Sequence, residues 1–243
     1  MKLFTLLSLI TLLSFNSQYI LAQTNNSNNS NTNKFKTIFP GNDSKTKVSG
    51  FGAINMDLGK ISDKTGFNMG VDMAVLMNQS FYFGIYGRTL LSFPEYNFEY
   101  YESDTNINIT ATRRAFFTHG GIIIGGIFYP NKPLHFGLST KIGGGAIGTF
   151  NTSKEHISDK TNYNKDNWGT GPLLVITPQL DVEMNINYWF KFRLAIGYQW
   201  VSGASIMYKY KQTDGTIIDK TLIKPSNLSS PYISLGLVFG WFK

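Results

Sequence analysis

Apolar and polar side chains alternate with a period of two through most of the chain beyond residue 46. In the last segment Leu235, Leu237, Phe239 and Trp241 fall on one side, and Ser234, Gly236, Val238 and Gly240 on the other. Successive side chains of a strand point to opposite faces, so this is a strand with all its large apolar groups on one face. Gly66 to Leu76 repeats the pattern, setting Phe67, Met69, Val71, Met73 and Val75 against Asn68, Gly70, Asp72, Ala74 and Leu76. Further strands are predicted at Lys47 to Leu58, Ser80 to Phe93, Arg114 to Tyr129, Leu134 to Phe150, Pro172 to Ile186, Phe190 to Val201 and Pro231 to Phe242. No segment carries a helical period. About eight such strands predict an all-β fold, a membrane-spanning up-and-down antiparallel β-barrel with its apolar set toward lipid and its polar set toward the lumen. A soluble lipocalin-like barrel would need polar residues where Met69, Val71, Met73, Leu235 and Leu237 stand.

The connections alternate as well. Asn78-Gln79, Pro130-Asn131-Lys132-Pro133 and Asn187-Tyr188-Trp189 read as tight turns. Tyr96 to Arg113, Asn151 to Thr170 and Ser202 to Ser230 read as long polar loops, with a shorter loop at Gly59 to Thr65. Short turns at one end and long loops at the other are the asymmetry of outer-membrane barrels, with periplasmic turns and external loops. Tyr82, Phe128, Tyr129, Tyr188, Trp189, Phe190, Trp241 and Phe242 gather at the short-turn end and are expected to form an interfacial girdle.

The first residues change the picture in one respect. Met1-Lys2, an apolar run from Leu3 through Phe15 and a small residue at Ala22 read as a secretory signal peptide over residues 1–22. Ser14, Asn16, Ser17 and Gln18 interrupt the run before it reaches the ~20 apolar residues of a spanning helix. Residues 23–46 follow as an Asn/Ser-rich tether with a basic end, expected to be disordered, and the barrel as 47–243. With no cysteine there is no thiol for lipid attachment and no thiolate metal site. The formal charge of +7 is scattered rather than gathered on one face, so no nucleic-acid partner is expected, and outer-membrane lipid is.

Candidate chemistry is sparse. Gly143-x-Gly145-x-x-Gly148 matches the dinucleotide fingerprint, but it lies within a predicted strand where that motif needs a following helix. Together with Gly120, Gly121, Gly125 and Gly126, these glycines are expected to relieve crowding in a small barrel. His119, His135 and His156 stand far apart in sequence. His156 with Ser153 and Asp159 makes a triad only on paper, so no catalytic, cofactor or metal site is expected. The charges assigned to the lumen say more. Asp72 and Arg88 fall on adjacent strands, as do Asp181 and Glu183 beside Lys191 and Arg193, and the 187–189 turn sets Glu183 nearly opposite Arg193. An eight-stranded barrel is just wide enough for side chains to fill, so these six are expected to interlock as a structural plug.

Phe128-Tyr129-Pro130-Asn131-Lys132-Pro133-Leu134-His135, Thr177-Pro178-Gln179-Leu180-Asp181-Val182-Glu183 and the terminal 234–241 segment resemble the small outer-membrane β-barrel domain proteins, the OmpA/OmpX/OmpW-like group. The resemblance spans nearly all of the chain after the tether. In that group the closing strand commonly reads polar, any, Gly, any, any, aromatic, any, aromatic, and Ser234, Gly236, Phe239 and Trp241 fill those positions. The resemblance implies that this strand is the signal read by the barrel-assembly machinery, although Phe242 and Lys243 follow it here. Expected overall is a monomeric, non-enzymatic outer-membrane barrel with a filled lumen and a structural or surface-interaction role, any ligand being met by the long loops. The alternative is a narrow pore or a lateral passage for small or apolar solutes. An enzyme acting on envelope lipid stands third.

Overall fold

The computed structural model describes residues 46–61, 64–103, 105–151 and 170–242. The signal-peptide and nearly all of the tether readings lie outside the described residues. So does most of the 151–170 loop, with Ser153, His156 and Asp159.

Eleven strands follow in order among the described residues: β1 (Val48–Ile61), β2 (Lys64–Met77), β3 (Phe81–Leu90), β4 (Glu95–Glu102), β5 (Ile107–Phe128), β6 (Leu134–Asn151), β7 (Gly171–Asn185), β8 (Phe190–Gly203), β9 (Ile206–Lys211), β10 (Ile217–Ile223) and β11 (Ser230–Gly240). Eight of them close a ring. The sheet runs β3-β2-β1-β11-β8-β7-β6-β5, and an antiparallel β3–β5 ladder joins its two ends. Closure matters because an open edge inside a bilayer would leave backbone groups without partners. The β2–β3 turn at Asn78 and Gln79 shows how the short turns are made: both have φ above +50°, and the Ser80 N–H closes onto the Met77 carbonyl at 3.1 Å. Two left-handed residues give the turn whose twist matches that of the flanking strands.

Outward positions form an unbroken apolar belt. In 48–58 of β1, 67–77 of β2, 81–89 of β3, 116–128 of β5, 134–150 of β6, 172–184 of β7, 190–200 of β8 and 231–239 of β11, no outward residue is charged. Ile54, Met73, Ile85, Leu138, Leu180, Ile196 and Ile233 are each between 41 and 62 % exposed, which in water would be an extensive uncovered hydrophobic surface. Aromatics border the belt. Phe128, Tyr129, Tyr188, Trp189 and Trp241 are exposed at the short-turn end, where Trp189 and Phe190 stack on Phe239 at 6.1 and 5.1 Å. At the other end Tyr198 meets Trp200 and Phe93 meets Phe150, a second girdle that the alternation alone did not single out.

The long connections contain more structure than their polarity predicts. The shorter loop at 59–65 is mostly strand, since Gly59 pairs with Gly66 and Ile61 with Lys64. Within 96–113, β4 pairs with the first half of β5 from Glu95↔Arg114 to Glu102↔Ile107, so β5 runs on past the apolar belt as one arm of a hairpin. Within 202–230, β9 and β10 form a separate hairpin, followed by a short 3-10 turn at Pro225–Leu228.

Candidate functional site

The interior is filled in three layers. Nearest the short turns, Phe51, Leu76, Tyr82, Ile127 and Val238 pack together, with Phe242 against them. Tyr82 and Phe242 are therefore corrections to the expected girdle. Tyr82 is 1 % exposed in the lumen, and Phe242 turns inward beneath the Lys191 ammonium, 4.1 Å from its ring centre. Tyr82 lies so close over Gly125 that any side chain there would collide with its ring, so a cross-strand glycine makes room for it.

The middle layer is ionic. Four carboxylates, Asp57, Asp72, Asp181 and Glu183, and four cations, Arg88, Lys141, Lys191 and Arg193, are buried there among the described residues, so their formal charges cancel. Arg88 bridges Asp57 at 2.9 Å and Asp72 at 2.7 Å. Arg193 holds Glu183 at 2.7 Å and lies 3.8 Å from Asp72, which joins the two halves of the network. Glu183 also meets Lys191 at 3.3 Å and the His135 ring at 3.0 Å. Asp181 accepts hydrogen bonds from Ser139 at 2.9 Å and from the Gln179 amide at 2.6 Å. The Gln179 carbonyl in turn accepts from Lys141 at 2.6 Å and from the Tyr232 hydroxyl at 2.7 Å.

All six lumen charges singled out from the sequence point inward, and five of them share the network that runs from Asp57 to Lys191. Asp181 belongs to the neighbouring Gln179 cluster. The sequence reading missed Asp57, Lys141 and the Asn55 amide, which donates to Asp72 at 3.0 Å. Asp57 does carry a signal, since it shares its face with Asn55 and opposes Ile54, Met56 and Leu58. Lys141 is masked by the glycine run beside it.

The third layer closes the long-loop end. Ile61, Leu90, Ala115, Phe117, Ile147, Leu173, Val175 and Val201 from the barrel meet Ile206, Ile223 and Leu228 from the β8–β11 connection. An apolar cap made partly by that connection thus sits over the ionic layer.

The two described histidines and the glycines singled out from the sequence have structural places. His119 is 6 % exposed, stacks on Phe117 at 4.9 Å and meets the Tyr86 hydroxyl at 3.3 Å. His135 is spent on Glu183 and the Lys132 carbonyl. Both histidines face the lumen, away from lipid. The Gly143/Gly145/Gly148 motif lies within β6, where side chains at Gly143 and Gly145 would meet the Tyr86 hydroxyl at 2.8 Å and His119 Cβ at 2.7 Å. On the closing strand Ser234 and Gly236 face inward, Gly236 opposite Arg193 and Asn55, while Phe239 and Trp241 face outward.

Above the barrel, the β9–β10 hairpin docks on the β4–β5 arm. The Asn108 amide donates to the Lys211 carbonyl at 2.7 Å, its oxygen accepts from the Lys211 N–H at 3.0 Å, and Phe98 packs on Tyr208 at 4.8 Å. Much of the aromatic surface of 96–101 is therefore used in holding the platform together. Its exposed charges are mixed, Glu99 and the Arg114-paired Glu95 on β4 and Lys209, Asp214 and Asp219 on the hairpin, where the half-buried Lys220 lies over Tyr210. At the hairpin tip the Thr216 N–H donates to the Asp214 carboxylate at 2.9 Å, holding it below the usual carboxylate range.

A charge-neutral packed lumen inside an outward apolar belt is the fold of the small outer-membrane β-barrels. Solved structures of similar shape include Neisserial surface protein A, at 8 % identity and a TM-score of 0.45 over 81 % of this chain and 99 % of that one. The attachment invasion locus protein Ail of Yersinia pestis, in complex with the heparin analogue sucrose octasulfate, gives 11 % identity and 0.40 over 80 and 98 %. A major outer membrane protein of Thermus thermophilus gives 6 % and 0.41 over 79 and 99 %. No protein-family model matches the chain. No curated protein matches it either.

Proposed function

We propose that this protein is a monomeric, non-enzymatic component of the outer membrane, a sealed barrel that works through what it presents outside rather than through what it passes. The observation that carries this reading is the filled lumen. Four buried anions and four buried cations cancel across its middle, and an apolar cap lies above them. A continuous uncharged channel, which the narrow-pore alternative needs, would have to pass through both layers. The exported chain loses residues 1–22, and 23–46 remains as a periplasmic tether. The charge cluster of Asp72, Arg88, Asp181, Glu183, Lys191 and Arg193 has a structural role. The outward Phe239 and Trp241, with Ser234 and Gly236, form the strand read by the barrel-assembly machinery. Surface interaction falls to the platform of β4, β5, β9 and β10, with its exposed charges of both signs.

The test is electrophoresis of the membrane fraction with and without boiling, then bilayer conductance of the purified protein. A heat-dependent mobility shift without conductance is expected. Trypsin added to intact cells should cut at Lys209, Lys211 or Lys220 and leave the barrel whole. Unitary current steps would overturn the sealed-barrel reading, and loss from the membrane fraction would overturn the location.

A further inference from the structure

The ring is not bonded equally all the way round. Seven of its eight ladders run without a break among the described residues. The β7–β8 ladder keeps one register from Leu173↔Gly203 to Asn185↔Lys191, yet it lacks the pairs that would join Thr177 to Gln199 and Pro178 to Tyr198.

A single residue accounts for both. The Ala204 N–H donates to the Pro172 carbonyl at 3.0 Å, which fixes the even-numbered residues of β7 as those whose backbone groups point at β8. Pro178 is one of them, and it has no N–H to give to the Tyr198 carbonyl. That carbonyl lies in the lipid-facing wall, where a backbone group without a partner is costly. The neighbouring position on β8 is confined to glycine, because a side chain at Gly197 would come within 2.6 Å of the Pro178 carbonyl and 2.7 Å of the Tyr232 hydroxyl. Proline and glycine thus weaken the two strands at the same height.

Behind the gap the lumen is polar. Thr177 is 4 % exposed, and its Oγ1 has no hydrogen-bond partner among the described residues. Its register partner on β6 is Lys141. Just above the gap β8 is tied to the β8–β11 connection: the Gln199 amide donates to the Leu228 carbonyl at 2.9 Å, and the Val201 N–H to Ser229 Oγ at 2.9 Å. The same connection carries the β9–β10 hairpin of the platform.

We propose that the wall parts locally at the β7–β8 seam, between Pro178 and Tyr198, so that the Thr177 side of the lumen meets the bilayer, and that the Gln199 tie to the connection holds the seam closed. The proposal rests on the membrane reading above. Parting leads sideways into lipid and leaves the cap and the short-turn layer in place, so it passes no current. It also gives the platform a way to act on the wall, since displacing 228–229 releases β8.

The first measurement is amide exchange of the barrel in a lipid nanodisc, followed by NMR. The Tyr198 and Trp200 amides flank the missing bond. They should exchange at least about fivefold faster than those of Leu194 and Ile196 farther down the same seam, the factor that one net hydrogen bond supplies. Pro178→Val, which restores the N–H, should remove the difference, and Gln199→Ala should widen it. Equal exchange in the native chain, or a difference that Pro178→Val leaves intact, would overturn the seam. A Gln199→Ala variant that exchanges like the native chain would overturn the tie. Because the chain has no cysteine, Thr177→Cys supplies a single thiol that reports the direction of opening. A maleimide dissolved in the bilayer should label it, at least about fivefold more slowly in the Pro178→Val background, and a sulfonated maleimide in water should not. No labelling would overturn access from lipid. Equal labelling by the aqueous reagent would overturn it in favour of entry through an end of the barrel. Heat-dependent mobility is run on the same samples, and its loss in the native chain would count against the membrane reading rather than the seam.

Discussion

Arg193 is the residue on which the ionic layer turns. It is 2 % exposed, bonded to Glu183 through two nitrogens and close to Asp72, with the Phe51 ring 5.3 Å away. Arg193→Ala would leave Glu183 and Asp72 with less compensation in a dry interior, at a cost on the order of 3–5 kcal/mol. The expected result is a lower temperature for the heat-dependent mobility shift, with no conductance, because the cap and Arg88 remain. A mutant of unchanged stability that conducts would show Arg193 to be a gate rather than a brace. The Glu183–Arg193 juxtaposition follows from the chain itself, because a tight turn makes them register partners. The Asp57–Arg88 pair does not follow in this way. Asp57 is in register with Asn68 and Arg88 with Gly70, so their contact reaches across β2 through side-chain length and barrel curvature, which alternation does not encode.

Among the elements, β11 makes the face assignment testable. Leu235 points outward between Met56 and Leu194, at the middle of the outward run 231–239. Arg there should cost roughly 2–4 kcal/mol and block assembly, whereas Ser234→Ala on the inner face should be mild. Equal assembly of the two variants, measured as membrane-inserted, heat-shifting protein, would mean that the strand faces the other way. The eight ring strands were legible because a belt facing lipid imposes one apolar face along its whole height. Above the belt that constraint lapses. Tyr96, Phe98 and Tyr100 do alternate with Glu95, Asn97 and Glu99, but the acidic face disguised β4 as a loop. Asn108 makes two of the hydrogen bonds that dock β9–β10, beside those from the Lys211 ammonium to Asn106. Asn108→Ala removes two hydrogen bonds, each worth about 0.5–1.5 kcal/mol net, and should speed tryptic cleavage at Lys209 and Lys220 while leaving the mobility shift unchanged. Unchanged cleavage would assign the docking to the Phe98–Tyr208 and Lys211–Asn106 contacts instead.

For the whole molecule, the layering of the lumen decides what happens when its lid is removed. Ile206, Ile223 and Leu228 are each 1 % exposed, and all three enter the cap from the β8–β11 connection rather than from the ring. Burial of each is worth roughly 1.5–3 kcal/mol, so their joint loss weakens the barrel by an amount that urea should detect. Replacing 204–229 with a short turn would strip the cap and admit water to the ionic layer from outside. Two barriers to passage would remain. The Asp57–Arg88–Asp72–Arg193–Glu183 chain still crosses the lumen, and Phe51, Leu76, Tyr82 and Phe242 still fill the short-turn end. The shortened protein should therefore assemble, shift on heating and unfold at lower urea, yet pass no current. Its ionic layer, now wetted, should tolerate Arg193→Ala better than the complete protein does, because water compensates Glu183 and Asp72. A non-additive pair of stabilities would locate the cost of that substitution in desolvation. Strictly additive losses would place it instead in the packing of Arg193 against Phe51 and Tyr82.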